Sequence, residues 1–248
     1  MSPDATGAAR AFIDLHCHTS ASFDSLAAPS AVVRAAAARG ITHLAITDHE
    51  HIDGALEARA TAEREHLPVT VIVGQEIRTP SGDMIGAFLT EPIPPGMSPA
   101  EVVATVRAQG GLVGIPHPFD RFRGSLLRDA RLERLVRQVD WVEAHNARVA
   151  VGSGNTRAAE LAREGGVAGI AVSDAHSAFE VGVAYTALDG DPSTPAGLLT
   201  ALPTAELIPG RASFYVRLLT PVAKAVQRAR GNGRIRPGIR DRPEVAGR

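Results

Sequence analysis

Histidines and carboxylates recur in this chain just after apolar runs. The segments are Asp14-Leu15-His16-Cys17-His18, Thr47-Asp48-His49, Gly74-Gln75-Glu76, Pro116-His117-Pro118 and Ser173-Asp174-Ala175-His176. Imidazole nitrogens and carboxylate oxygens are ligands of divalent cations such as Zn, Mn and Fe. His16 and His18 are two residues apart on an extended segment, so both face one side. Asp174 and His176 share a face by the same spacing. Burying paired histidines without partners would be costly, which favours a ligand role over a core role. His49 and His117 read as further ligands, and the prolines on either side of His117 fix its backbone direction. Glu76 ends a strongly apolar run. A carboxylate there can bridge two cations, which an imidazole cannot do. Asp14 and Asp48 read as groups that orient neighbouring ligands.

Other candidates rank lower. Cys17 lies between two ligands and points to the opposite face, as a small core residue does. His43 starts an apolar run instead of ending one, and reads as structural. His66 ends a helix-like stretch, where a cation suits the dipole. His51 and His145 read as bystanders beside the site.

The elements that must place these groups alternate. Strand-like runs appear at 12–15, 43–47, 69–73, 84–89, 112–115, 141–144 and 167–172. Helix-like stretches lie between most of them, at 29–39, 54–66, 98–109, 125–138 and 155–164, and Ser81-Gly82 reads as a turn. Pro29 suits a first helical turn, Ser98 with Glu101 forms a capping-box pattern, and Gly165-Gly166 ends the last of these stretches. About seven β-then-α units argue for a parallel sheet, open or closed as a barrel. Ligands at the ends of several strands are what a polynuclear metal site at one barrel mouth requires.

Composition narrows the class. The 248 residues suit one large α/β domain or two small ones, and 44% hydrophobic content is enough for a core. Aromatics are only 4%, so Ala, Val, Leu and Ile must fill that core. A formal net charge of -1 gives no general pull toward nucleic acid or membrane. One cysteine rules out an intrachain disulfide. No leader pattern and no apolar span is visible, so a cytoplasmic protein is the expectation. From Arg211 onward ten of 38 residues are Arg or Lys and two are acidic. That stretch reads as a helix over 213–230 followed by a disordered, solvated basic tail.

In this order, the D-L-H-C-H, T-D-H, G-Q-E, P-H-P and S-D-A-H segments resemble the polymerase-and-histidinol-phosphatase (PHP) family, over about residues 11–185. The resemblance implies a distorted (β/α)7 barrel in a single domain of about 11–210, with a trinuclear cleft and phosphoesterase activity. It implies that His16, His18, Glu76 and Asp174 hold one ion. Glu76 would bridge to a second ion completed by His117 and by Asp83, at a position where many relatives carry histidine. The third would use His49, His176 and Asp24, six residues after His18. An oxygen ligand at Asp83 would favour manganese or iron over zinc. These ligands would act in catalysis through two or three divalent ions. Segments after His117 and around Glu143 resemble those of small stand-alone members, which makes Arg121 and Arg148, and less so Arg123, candidate phosphate binders through a bidentate fork. The expected partner is a small phosphorylated substrate, rather than nucleic acid or a membrane.

Two rivals stay open on the residues. An amidohydrolase-type C–N hydrolase also begins with H-x-H, but many such sites bridge their ions with a modified lysine. The single lysine here, Lys224, lies past the barrel. Mononuclear deaminases need no such lysine. A non-catalytic metal-stabilised module would show lost ligands, and none is evident.

Overall fold

The computed structural model describes residues 10–120, 132–149, 153–213, 215 and 219–234. Among these, nine strands form one sheet: β1 (Arg10–Cys17), β2 (His43–Ile46), β3 (Thr70–Arg78), β4 (Asp83–Ala87), β5 (Leu112–Ile115), β6 (Trp141–Asn146), β7 (Ala168–Val172), β8 (Tyr185–Asp189) and β9 (Glu206–Ile208). Their spatial order is β7-β6-β5-β4-β3-β2-β1-β8-β9. Helices α1 (Pro29–Ala38), α2 (Asp53–Arg64), α3 (Pro99–Ala108), α4 (Leu132–Val136), α5 (Gly154–Gly165), α6 (Pro195–Ala201) and α7 (Leu219–Ala229) accompany it.

The sheet is buried on both faces, which is why β2 and β5 read as unbroken apolar runs. Alternate residues go to opposite layers. Leu44, Ile46, Val71 and Val73 pack outward against Val32, Val33, Ala36 and Ala55 of the helices. Ile13, Leu15, Ala45, Ile72, Ile85, Trp141 and Ile170 fill the interior, joined by Leu198 and Leu202 near the end where β1 begins. The layer is nearly closed into a distorted barrel. At the seam His18 N donates to Ala175 O at 2.7 Å, and Ala171 exchanges both backbone bonds with the Thr186 hydroxyl at 2.8 and 2.9 Å.

Three features depart from a simple β-then-α repeat. First, β3 and β4 form an antiparallel hairpin, and β4 is also antiparallel to β5. The Thr79 hydroxyl closes their turn by accepting from Gly82 N at 3.1 Å. Second, β3 continues through Glu76 to Arg78, so that glutamate lies within a strand and not at its end. Third, β8 and β9 extend the sheet with antiparallel pairings beyond β1. The predicted caps are present. Ser98 and Glu101 form a reciprocal capping box on α3, and Gly166 ends α5 in the left-handed conformation at φ 68°.

Candidate metal centre

One mouth of the barrel collects the polar groups. β1 carries His16 and leads into His18. The turn after β2 presents Asp48 and His49, β5 leads to His117, and β7 leads to Asp174 and His176. The β3–β4 hairpin brings the end of one strand and the start of the next to this same mouth. It therefore delivers both Glu76 and Asp83.

Glu76 is the centre of the cluster. Its Oε2 lies 3.3 Å from His16 Nε2, 3.3 Å from His18 Nε2 and 3.4 Å from His49 Nε2. Its Oε1 lies 3.3 Å from His117 Nε2. Asp174 Oδ1 is 3.7 Å from both His16 Nε2 and His18 Nε2. A further group joins Asp24 Oδ2 to His176 Nε2 at 3.2 Å and to His49 Nε2 at 3.4 Å. Four overlapping trios result, each with its ligand atoms within 4.8 Å of one another: His16-His18-Asp174, His16-Glu76-His117, His18-His49-Glu76 and His18-Asp24-His176. Asp83 lines the same cleft together with Glu76 and His117.

The donor chemistry fits bound cations. His16 Nε2 and His18 Nε2 face each other at 2.9 Å. Two imidazole nitrogens at that distance need something positive between them, a proton or a metal ion. Asp83 Oδ1 is buried and has no hydrogen-bond partner. The charge balance agrees. Burial opposes ionisation of Glu76, yet His49, His117 and His16 hold its carboxyl well below the usual range. Asp24 is likewise held low against burial by His176 and His49. Burial opposes a charge on His49, but Glu76 and Asp24 lift its pKa to about 9. His16 is raised, against burial, by Glu143 and Asp174. The neighbouring carboxylates thus favour positive charge on His16 and His49, where cations would bind. Asp83 moves upward through burial and the neighbouring Glu76 charge. His176 falls to about 3 because burial and the Arg148 guanidinium both oppose its charge.

Supporting contacts hold the clustered side chains in place. Glu143, buried on β6, accepts from His16 Nδ1 at 2.6 Å and from the His117 backbone N–H at 2.9 Å. Asn146 donates from Nδ2 to Glu143 at 2.8 Å and to Asp174 Oδ2 at 2.9 Å. A carboxylate on the far ring nitrogen fixes the tautomer that leaves His16 Nε2 available to a metal. Asp48 accepts from Thr19 N and Thr19 Oγ1, both at 2.6 Å, and so ties the loop after β1 to the loop after β2. A Cβ on Gly54 would stand 2.1 Å from Asp48 Oδ2, so only glycine admits this approach. Asp14 touches no ligand imidazole. It accepts from Ser173 N at 3.0 Å and Gly182 N at 3.1 Å, which sets the chain just before Asp174. Two residues of the cluster, Asp174 at φ 53° and His117 at φ 27°, have left-handed backbones that non-glycine residues seldom adopt.

Cys17 is buried, its Sγ near Asp14 and Ser173. His145 bonds Gly210 O at 2.8 Å and His43 bonds Ser193 Oγ at 2.9 Å, both outside the cluster. Arg148 does not open into the cleft as a phosphate binder would. Its guanidinium is buried behind His176, donating to Thr220 Oγ1 at 2.6 Å and lying 3.7 Å from Glu180. The reason is long-range packing: Thr220 on α7 and Glu180 hold the guanidinium. Arg121 and Arg123 lie outside the described residues. Sequence reasoning missed Glu143 and Asn146. The signal for Glu143 was polarity within the apolar strand Trp141-Val142-Glu143-Ala144, and Asn146 lies just past the end of that run. It also missed Lys224 and Arg234, which line the cleft from the C-terminal segment.

The PHP domain model matches residues 14–112, and the PHP-associated model matches residues 152–206. The chain belongs to the PHP family. Two uncharacterised proteins of Methanocaldococcus jannaschii are 40% and 43% identical to it over 116 and 117 residues. The matches span 43% and 46% of this chain, and 67% and 49% of those relatives. A two-domain protein of Bacteroides vulgatus containing a predicted PHP-like metal-dependent phosphoesterase has the same fold, with TM-score 0.67 and 19% identity over 85% of this chain and 68% of that one. A lesion-specific endonuclease of Pyrococcus furiosus also shares it, with TM-score 0.56 and 15% identity over 80% of this chain and 58% of the other. Among the described residues no helix is long and apolar enough to cross a membrane.

Proposed function

We propose that this PHP protein hydrolyses a phosphate ester, with a small phosphorylated molecule as substrate, at a di- or trinuclear metal centre. One observation carries the reading: both oxygens of the buried Glu76 face imidazole nitrogens, Oε2 toward three and Oε1 toward a fourth. That is the disposition of a carboxylate bridging two cations. His16, His18 and Asp174 would share the Oε2 side, His117 and Asp83 the Oε1 side, and His49, His176 and Asp24 a third position. Manganese, iron or zinc suits such mixed nitrogen and oxygen donors.

Cations held there would supply an activated water and neutralise phosphoryl oxygens. The chain's own groups do the rest. Glu143 keeps His16 in the ligating tautomer, and the hydrogen bonds of Asp48 and Asp14 keep the loops in register. Asp24, Glu76, Asp83 and Asp174 supply the negative charge that would balance the cations. Cys17 is buried in the core layer, which leaves no cysteine to act as a nucleophile in the cleft.

Nucleic acid phosphodiesters form a second reading, supported by the basic residues lining the cleft and by the fold shared with the Pyrococcus furiosus endonuclease. The test is metal analysis of purified protein joined to a phosphate-release screen over nucleotides and sugar phosphates and to a strand-cleavage assay on short oligonucleotides, whose phosphodiesters leave a phosphomonoester end and no free phosphate. Phosphate release that disappears in a folded His16→Ala variant supports the reading. Activity on amides alone, or full phosphate release from that variant, contradicts it.

A further inference from the structure

The C-terminal segment lies beyond both stretches matched by the PHP models, yet it forms one wall of the cleft. α7 is fastened to the loop that carries Phe23 and Asp24. The buried Gln227 amide donates from Nε2 to the carbonyls of Ser20 and Ser25, each at 2.7 Å, and of Ser22 at 3.1 Å. Asn232 Nδ2 donates to Ala21 O at 3.1 Å. These bonds place two cations over one aromatic ring. Lys224 Nζ lies 5.5 Å and the Arg234 guanidinium carbon 5.1 Å from the Phe23 centroid. The same ring packs on His49 at 4.7 Å. A cavity of about 460 Å³ bounded by Phe23, Lys224, Arg228, Gly233 and Arg234 adjoins the metal cleft. Arg234 Nη2 stands 3.5 Å from Asp83 Oδ2.

We propose that Lys224 and Arg234 form the phosphate grip of this site, and that Arg234 covers Asp83 only until a divalent cation takes that carboxylate. The proposal rests on the phosphoesterase reading above. Arg234 stands at Oδ2 while Oδ1 is the oxygen left for a cation, so a metal ion taking Oδ1 would neutralise the same carboxylate, repel the guanidinium and weaken its hold. Phe23 keeps the released side chain at the rim by a cation–π contact. There its planar fork can take two phosphoryl oxygens, while the solvent-facing Lys224 supplies a mobile point charge.

The test uses the full chain and two titrations. In the first, metal-loaded protein is titrated with inorganic phosphate by calorimetry. Lys224→Met and Arg234→Gln should each weaken phosphate binding about 10–100-fold, the range of a lost charged hydrogen bond. Arg163→Ala, which removes an exposed arginine on α5, should not. In the second, metal-free protein is titrated with Mn²⁺. Arg234→Gln should bind the ion more tightly than the unsubstituted protein, because the competitor is gone, and Lys224→Met should not gain from this. Arg234→Lys, which keeps a charge without the fork, should fall between for phosphate. Phosphate affinity unchanged in Lys224→Met and Arg234→Gln overturns the proposal and leaves the phosphoesterase reading standing. No phosphate binding by the unsubstituted loaded protein overturns both. Mn²⁺ affinity that does not rise in Arg234→Gln overturns the covering role of Arg234.

Discussion

His43 opens β2 and His49 follows its end, so these two buried histidines sit at opposite mouths of one barrel. At the first mouth the imidazole is held by hydroxyls, Thr42 Oγ1 and Ser193 Oγ, each at 2.9 Å, and the nearby Asp191 is largely solvent-exposed. Burial wins there, and the His43 pKa falls. At the second mouth burial is no weaker, but Glu76 and Asp24 lie beside the ring and carry His49 up to about 9. The contrast shows what marks a cation site. A buried histidine satisfied by neutral partners is structure. A buried histidine whose free nitrogen converges with others on shared carboxylates is a place for positive charge, whether carried by protons or by metal.

The contrast can be broken most forcefully at Glu76. Glu76→Ala removes the acceptor common to both sides of the cluster, and should cost more than one bound ion and about 10³-fold or more in phosphate release. That exceeds the ~10–100-fold typical of a group acting behind a ligand. Metal content by mass spectrometry alongside initial rates checks it. Glu143→Gln should fall within that ~10–100-fold range for metal affinity or activity, because His16 stays in place but loses the carboxylate that fixes its tautomer. A competitive metal titration measures the change.

Acidity sharpens the comparison further. In the metal-free protein His49 is protonated below about pH 9, so a cation must displace that proton. Metal affinity should therefore fall as pH is lowered from 9, by about tenfold per pH unit for each proton displaced. The heat of metal binding at pH 7 should also vary with the ionisation enthalpy of the buffer. A pH-independent affinity between 6 and 8 would contradict the charge balance described for the cluster. The smallest effect belongs to the other mouth. His43→Ala should lower stability by about 1 kcal/mol through two lost hydrogen bonds and leave metal content unchanged. Chemical denaturation and metal analysis on the same samples test both halves.

Much of this site could be read in the chain because most members of the cluster follow an apolar run. His16, His18, His49, Glu76, His117, Asp174 and His176 all carry that signal, and the structure brings them to one mouth. Asp24 and Asp83 lack it. Either could be an ordinary turn carboxylate, and only the family resemblance raised them. Glu143 was hidden for the opposite reason, since it lies inside its strand with no chain ending to point to it. Arg148 was misplaced because an arginine's surroundings are set by packing far along the chain, here by Thr220 on α7. Lys224 and Arg234 were read as part of a solvated basic stretch. Nothing in their local sequence signals the three backbone carbonyls that hold Gln227. In the fold, the Ser81-Gly82 turn was visible, but its consequence was not: an antiparallel β4 is what puts Asp83 at the same mouth as Glu76. The short β8 and β9 had too little alternation to read.

Anomalous diffraction from crystals of the full chain grown with Mn²⁺ tests the central claim most directly. The account predicts at least two strong peaks flanking the Glu76 carboxylate, one shared with His16, His18 and Asp174 and one with His117. Density for manganese only at surface carboxylates, with the Glu76 cluster free of any peak, would contradict it.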